Sequence, residues 1–319
     1  MNKHRGDISF PTSAANAKRW LARVLIAGPR KGHLPIQPRP TRFTYHTSVK
    51  KGLREHGKHA YDAIVKEFKQ LFKDKKALKP IHRADLSRTQ LKKIIRSSMF
   101  LKTKFDARGH FEKIKARLVA DGRGQDRALF PDNRSPTVAM HSLLMCLYIA
   151  AREGRHVAKI DIGGAYLNAD MKGEEVIMEL DRTLTEIISK YLPELKPYES
   201  NGKLLVRLDK ALYGCVQSAK LWYELLTSEL SEMGFKPNDI DPCVMNKFIN
   251  GKQCTLVIYV DDILILSERN EDIEWVLQAL QKRFDDVKVE KGNDLSYLGM
   301  HIIMQDGKVT LSILFICNF

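Results

Sequence analysis

Two adjacent carboxylates, Asp261 and Asp262, stand in the middle of an apolar run, Cys254-Thr-Leu-Val-Ile-Tyr-Val-Asp-Asp-Ile-Leu-Ile-Leu266. β-Branched and aromatic residues on both sides predict two short strands. The Asp-Asp pair is the only break between them, so the expectation is a tight hairpin with acid at its tip. Neighbouring negative charges beside buried hydrocarbon cost several kcal/mol per uncompensated ion, and the usual compensation is a metal or a basic partner. The alternative is a solvated turn, because Asp favours turns for local backbone reasons. A third carboxylate, Asp161, lies near the end of the apolar segment His156-Val-Ala-Lys-Ile-Asp-Ile162. If that segment and the hairpin are neighbours in one sheet, three carboxylates converge where two Mg²⁺ ions about 3.5 to 4 Å apart can be held. Such a pair suits phosphoryl transfer, one ion activating an attacking hydroxyl and the other stabilising a leaving pyrophosphate. In Phe111–Ala120, Lys113, Lys115 and Arg117 alternate with Ile114, Ala116 and Leu118. All three cations therefore project from one strand face, where they can bind a triphosphate.

The elements that must position these groups follow from periodicity. Ala60, Ile64, Phe68, Leu71 and Phe72 predict a helix from His59 to about Lys75, and Asp85–Arg96 a weaker one. Met99–Phe105 and Phe111–Ala120 read as strands joined by a turn at Asp106–Gly109. A buried helix is expected over Val138–Glu153, then the Asp161 strand, with Ile160 and Ile162 on one face and Asp161 on the other. Gly163-Gly164 ends that strand and allows close backbone approach. Residues 174–203 predict a strand, a helix and a polar loop, and Leu204–Leu208 a short strand. Ser218–Met233 is an amphipathic helix that stops at Gly234. Ile273, Val276, Leu277, Leu280 and Phe284 mark a core-facing helix, and Tyr297–Ile302 with Lys308–Leu311 a closing hairpin. Strands interleaved with helices, without a regular βαβ repeat, indicate an α+β architecture.

The chain has 319 residues and a formal net charge of +15, which suggests a polyanionic partner such as nucleic acid. Residues 1–100 carry 24 Lys and Arg against 6 Asp and Glu, so the remainder is slightly acidic. Residues 1–56, rich in Pro, Gly, Arg and Lys, read as a basic flexible arm, with a short amphipathic piece around Trp20–Ile26. The five cysteines show neither zinc spacing nor a disulfide framework, which favours a reducing compartment. His56 and His59 are three apart but lack further ligands and read as surface side chains. No run reaches the roughly 18 apolar residues that cross a bilayer, and the N-terminus lacks a signal-peptide core. The expectation is an intracellular chain, cytoplasmic or nuclear, without a membrane partner.

Several stretches carry a family resemblance in their order. They are Lys115-Ala-Arg-Leu-Val119, Ser135-Pro-Thr-Val138, Asp161-Ile-Gly-Gly-Ala-Tyr-Leu-Asn168, Leu208-Asp-Lys-Ala-Leu-Tyr-Gly-Cys-Val-Gln217 with Trp222, Asp241-Pro-Cys243, Tyr259-Val-Asp-Asp262 and Tyr297-Leu-Gly-Met300. Together the chain resembles the reverse transcriptase domain of copia-type retrotransposon polyproteins, an RNA-directed DNA polymerase. The resemblance implies polymerase right-hand fingers and palm over residues 57–319, with a ferredoxin-like palm sheet. It implies that Asp161 and Asp261, with the Ile162 backbone carbonyl, bind two Mg²⁺ (Mn²⁺ an acceptable substitute), with Asp262 as the third carboxylate. Lys115 and Arg117 would grip the triphosphate, and Tyr166 would underlie the sugar and exclude a ribose 2′-OH. Gln217 would lie near nucleotide and template, although Cys215 and Val216 are unusual beside it. Tyr297, Leu298 and Gly299 resemble a primer grip, with a core hairpin as the alternative. The implied partners are an RNA template, a DNA or RNA primer and dNTPs. The apolar end, Leu311–Phe319, with no thumb or RNase H sequence after it, suggests a domain cut short. The rival reading is therefore a catalytically inactive nucleic-acid-binding remnant. A palm-domain nucleotide cyclase is disfavoured by the lack of that family's glycine signature.

Overall fold

The computed structural model describes residues 46–105 and 111–313 and mixes α and β elements. A short strand β1 (His46–Ser48) leads into α1 (Val49–Lys69), where the Ser48 hydroxyl accepts the Lys51 N–H at 3.4 Å. A π-helical turn at Gln70–Asp74 follows, then β2 (Leu78–Ile81), the short α2 (Arg88–Lys92) and the hairpin strands β3 (Ile95–Phe105) and β4 (Phe111–Ala120). Next come α3 (Met140–Arg152), β5 (His156–Ile162), β6 (Ile177–Leu180), α4 (Arg182–Tyr191), β7 (Glu199–Ser200), β8 (Lys203–Leu208) and α5 (Ser218–Glu232). The chain continues through β9 (Lys236–Pro237), β10 (Val244–Ile249), β11 (Lys252–Tyr259), β12 (Asp262–Ser267), α6 (Asn270–Arg283) and β13 (Val287–Lys291). It closes with β14 (Asp294–Tyr297), β15 (Met300–Gln305) and β16 (Lys308–Ile313).

Two hydrophobic cores organise these elements. The first lies on a six-stranded antiparallel sheet ordered β13-β5-β12-β11-β10-β9. Ile160, Ile162, Leu256, Ile258, Ile263 and Ile265 are fully or almost fully buried there, against Leu147 of α3, Trp222 and Leu226 of α5, and Val276 and Leu280 of α6. Each such side chain contributes roughly 1.5–3 kcal/mol of burial, which is why the sequence here is an almost unbroken apolar run. The second core lies under a seven-stranded sheet of path β1-β3-β6-β8-β2, with β4 joined to β3 and β7 to β8. Ile64 and Phe68 of α1, Leu101, Leu118 and Met178 fill it. Burial along β4 follows the expected alternation: Ile114, Ala116 and Leu118 face the core while Lys113 and Lys115 are exposed and Arg117 is half-buried.

Several expectations need correction. The first helix starts at Val49, not His59, because it has two segments joined at Gly57, which takes φ +46° and ψ −117°. Its first segment, mostly charged, carries too little apolar periodicity to announce itself. Residues 49–56, read as part of the arm, are therefore helical, whereas residues 1–45 and the Trp20–Ile26 piece lie outside the described residues. The helix expected over Asp85–Arg96 shrinks to α2, closed into a capping box by Ser87 and Gln90, and Ile95 and Arg96 already belong to β3. The helix expected to be buried, α3, leaves Met140, Met145 and Ile149 exposed. The closing hairpin is a three-stranded meander, with Leu298 (φ +49°) and Gly299 (φ +79°) turning β14 into β15. No helix of the described residues is long and apolar enough to cross a membrane.

One carboxylate fastens α1 to the cationic strand. Glu67 accepts the Leu118 N–H at 3.0 Å, and burial pushes its carboxyl above the ordinary value of 4.5 despite that bond and the attraction of Arg117 and Lys115. A raised folded-state value means that the folded chain holds this proton more tightly than the unfolded chain. The stability Glu67 contributes is thus complete below pH 4.5 and is lost as pH rises through its folded-state value. Glu67→Gln, which keeps an acceptor without the charge, should flatten that part of the pH–stability curve in urea titrations. Glu67→Ala should lose about 1–3 kcal/mol by orphaning the Leu118 N–H.

Candidate active site

The hairpin carrying the acidic pair is built one residue differently from the expected tip. Tyr259 pairs with Asp262, so the two-residue turn is Val260-Asp261 and Asp262 already belongs to β12. Val260 occupies φ +56°, a left-handed conformation that costs a β-branched residue about 1–3 kcal/mol. Surrounding groups hold it there. The buried Trp222 indole N–H donates to the Val260 carbonyl at 2.8 Å, and its ring packs edge-on against Phe284 at 5.5 Å. The Tyr297 hydroxyl reaches the carbonyls of Val257 and Asp262, each at 3.3 Å.

β5 runs antiparallel beside β12 with Asp161 directly opposite Asp262, and the Ile162 N–H donates to the Asp261 carbonyl at 3.0 Å. The three carboxylates named from the sequence are thus neighbours by strand register, all half-buried. On the other flank of β5, β13 places Lys288 opposite Asp161, their charged groups 3.4 Å apart. Lys159 lies 3.9 Å from Asp262 and donates to the Ser296 carbonyl. Burial pushes the carboxyls of both Asp261 and Asp262 upward. Asp161 adds to the rise at both, and Arg117 and Lys115 oppose it at Asp261 as Lys159 does at Asp262. A donor set made only of carboxylate and carbonyl oxygens suits a hard divalent cation such as Mg²⁺ or Mn²⁺. Among the described residues, no three His, Cys, Asp or Glu side chains are drawn close enough to form a finished ion cage.

Past Ile162 the backbone must approach β13 closely. A Cβ on Gly163 would come within 1.8 Å of the Asp286 carboxylate, and the Gly163 N–H donates to the Asp286 carbonyl at 2.6 Å. Gly164 (φ +60°) then starts the turn Ala165–Asn168 that carries Tyr166. The Tyr166 ring lies 4.4 Å from the ring of Tyr213, and the Arg117 guanidinium sits over the Tyr213 ring at 4.6 Å. Arg117, Lys115 and Tyr166 all lie within electrostatic reach of Asp261. Across the β3–β4 hairpin, Lys102 pairs with Lys115 and Lys104 with Lys113. Such like-charge pairs are unfavourable without an anion between them. Desolvation, then neighbouring cations that include Lys288, lower the ammonium values of Lys104 and Lys115.

Not every expected site residue is open. Gln217 is 5% exposed, accepts from the Gln125 amide at 3.0 Å and donates towards the Met171 sulfur at 3.2 Å. Tyr297 is fully buried, so in the Tyr297-Leu298-Gly299 turn only Gly299 is exposed. Ile162 is fully buried. His56 and His59 pack on Phe111, as surface side chains do. Cys146, Cys215, Cys243 and Cys254 are free thiols. Tyr213, Lys159 and Lys288 escaped sequence reasoning. Tyr213 lies inside the Leu208–Gln217 stretch, whereas the two lysines become neighbours of the carboxylates only through strand register. Asp241 proves structural: buried, it accepts the Ala139 N–H at 2.9 Å and the Cys243 N–H at 3.0 Å, tying the start of α3 to the loop before β10.

The profile of the family described as reverse transcriptase (RNA-dependent DNA polymerase) matches residues 85–318. The chain belongs to that family. The Ty1-ER2 transposon Gag-Pol polyprotein of Saccharomyces cerevisiae is 28% identical over 295 residues, covering 90% of this chain and 15% of the polyprotein. The Pol polyprotein from the tobacco transposon TNT 1-94 (Nicotiana tabacum) is 29% identical over 218 residues, covering 67% of this chain and 15% of its own length. The copia-type resemblance of the motifs therefore holds, and by descent the chain is a member of the RNA-dependent DNA polymerase family. It spans about 15% of the length of these relatives. A solved structure of apo telomerase from Candida tropicalis, truncated from its C-terminal domain, superposes with a TM-score of 0.40 at 11% identity, covering 80% of this chain and 60% of that one.

The Trp222 bond to the strained turn can be tested directly. Trp222→Phe keeps most of the packing but leaves the Val260 carbonyl without its donor, and should cost about 1–3 kcal/mol in urea denaturation. Val260→Gly in the same background should recover part of that loss by relieving the positive φ.

Proposed function

We propose that this chain is the reverse transcriptase part of a copia-type retroelement polyprotein, and that it carries out RNA-templated DNA synthesis by two-metal nucleotidyl transfer. The observation that carries the reading is the register: Asp262 stands opposite Asp161, and Asp261 is joined to the same strand through its carbonyl. The six-stranded sheet supports a palm reading. Its connectivity β5-α5-β11-β12-α6-β13 with spatial order β13-β5-β12-β11 is that of a ferredoxin-like split βαβ unit. The seven-stranded sheet with the β3–β4 hairpin then corresponds to fingers, in a domain that reaches back from residue 57 to β1, with the basic arm before it as a further contact for nucleic acid.

In this reading Asp161, Asp261 and Asp262, with the Ile162 carbonyl, would hold two Mg²⁺ (or Mn²⁺), which supply charge stabilisation for attack of the primer 3′-OH on the dNTP α-phosphate. Lys115 and Arg117 neutralise the triphosphate from the facing strand. Tyr166 forms the floor under the sugar and leaves no room for a 2′-OH. Gln217 acts by bracing its loop through Gln125, and the Tyr297-Leu298-Gly299 turn supports the primer end from below, its tyrosine anchored under Asp262. The RNA template and its primer lie across both sheets.

Mg²⁺-dependent primer extension on poly(rA)/oligo(dT) tests the reading. Asp261→Asn should lower incorporation by about 10²-fold or more, the scale of losing one charge-stabilising group at a reacting centre. Wild-type incorporation no greater than that of the variant would leave a nucleic-acid-binding remnant. Tyr166→Ala should raise ribonucleotide use relative to dNTP use by about 10-fold or more, the usual discrimination of a tight steric pocket, whereas Tyr166→Phe should not.

A further inference from the structure

Arg117 makes no ion pair within 4 Å among the described residues, although Glu67 and Asp261 lie within its electrostatic reach, and its guanidinium is not loose. It sits over one aromatic ring, Tyr213, at 4.6 Å from the ring centre, and that ring in turn touches Tyr166. The backbone of Tyr213 is independently fastened to the strand that carries Arg117. The Ala120 N–H, three residues beyond Arg117 on β4, donates to the Tyr213 carbonyl at 2.8 Å. Gly214 takes φ +94° and lies so close to β4 that a Cβ there would come within 2.0 Å of the Ala120 carbonyl oxygen. Gly122, just past β4, packs on the Gly214 carbonyl in the same way, its own Cβ position 2.1 Å from that oxygen. The Tyr213–Gly214 step is thus docked onto the end of β4, and the ring is delivered to Arg117 by backbone contacts rather than by side-chain chance.

We propose that Tyr213 is a positioning residue that holds Arg117 for the dNTP triphosphate and, through its contact with Tyr166, couples the phosphate grip to the sugar floor. The proposal rests on the reading above. A guanidinium held over an aromatic face keeps N–H groups for bidentate bonding to phosphate oxygens, and it surrenders less side-chain freedom when the anion arrives. An ion pair to a resident carboxylate would hold Arg117 equally well but would compete with the nucleotide. Tyr213 therefore orients the cation without neutralising it.

Two measurements on the full chain test this, with Tyr213→Phe, Tyr213→Leu, Arg117→Ala and the Tyr213→Leu/Arg117→Ala double variant. The first is steady-state primer extension with varied dTTP. The second, independent of chemistry, is the affinity for inorganic triphosphate by calorimetry without template or metal. Tyr213→Phe keeps the ring face and should leave KM and triphosphate affinity within about twofold of wild type. Tyr213→Leu should raise KM and weaken triphosphate binding by about 10-fold with a smaller change in kcat, the scale of a partly desolvated cation–π contact. In triphosphate binding, where no sugar is involved, the double variant should be no worse than Arg117→Ala alone, because there Tyr213 acts through Arg117. Additive losses, or equal losses in the Phe and Leu variants, would overturn the proposal, as would a wild-type chain whose affinity for neither probe depends on Arg117. A chain that fails primer extension but shows the Arg117- and Tyr213-dependent triphosphate affinity would keep the positioning role and discard the polymerase activity.

Discussion

Everything near the candidate site depends on holding like charges side by side at the end of an apolar sheet. Cross-strand register sets Asp262 against Asp161, and the Ile162 N–H bond to the Asp261 carbonyl ties the backbone of Asp261 to the same strand. A one-residue slip would turn Asp161 and Asp262 to the opposite face and expose Ile160 and Ile263, both fully buried. The surrounding core is what forbids that slip. The electrostatic cost is therefore met by hydrophobic burial along β5, β11 and β12, and is moderated locally by Lys159 and Lys288 rather than removed.

The two cores meet around this anionic centre through a few polar ties. Lys75, at the end of the π-helical turn, donates to the Asn168 side chain at 2.8 Å and pairs with Asp285 at 2.9 Å. Asn168 in turn donates to the carbonyls of Gly164 and Ala165, the turn that carries Tyr166. Asp286, next to Asp285, receives the Gly163 N–H on its carbonyl. The turn that carries Tyr166 is thus braced from the π-helical turn, from β5 and from the segment between α6 and β13 at once. Small residues at positions 163 and 164 are what let these three backbones approach.

Much of this was legible in the sequence. The alternation in Phe111–Ala120 gave the cationic face, the apolar run around Asp261 gave the hairpin, and the Ile160–Asp161–Ile162 pattern gave the facing of the third carboxylate. What stayed hidden has physical reasons. The charged onset of α1 lacked periodicity and was broken at Gly57. The hairpin tip was displaced by one residue because Val260, a poor turn residue, is forced into the turn by Trp222, 38 positions away in sequence. Gln217 and Tyr297, which the family resemblance placed near nucleotide and primer, are both buried, and burial is not written in residue type. Lys159 and Lys288 became visible only once strand order was known, since an antiparallel neighbour is not written locally in the chain.

Lys288 has one more consequence, because β13 is an edge strand of the six-stranded sheet. An edge offers unpaired N–H and C=O groups to any other extended chain, and this one lies beside β5, whose Ile160 and Ile162 are fully buried. Along β13 the exposed positions are Lys288, Glu290 and Lys291, so an incoming strand would have to desolvate three charges in five residues. The lysine that moderates Asp161 thereby also guards against self-association. Neutralising it for the sake of the carboxylates would remove one of those three charges, so the acidic centre and the protection of the edge share a side chain.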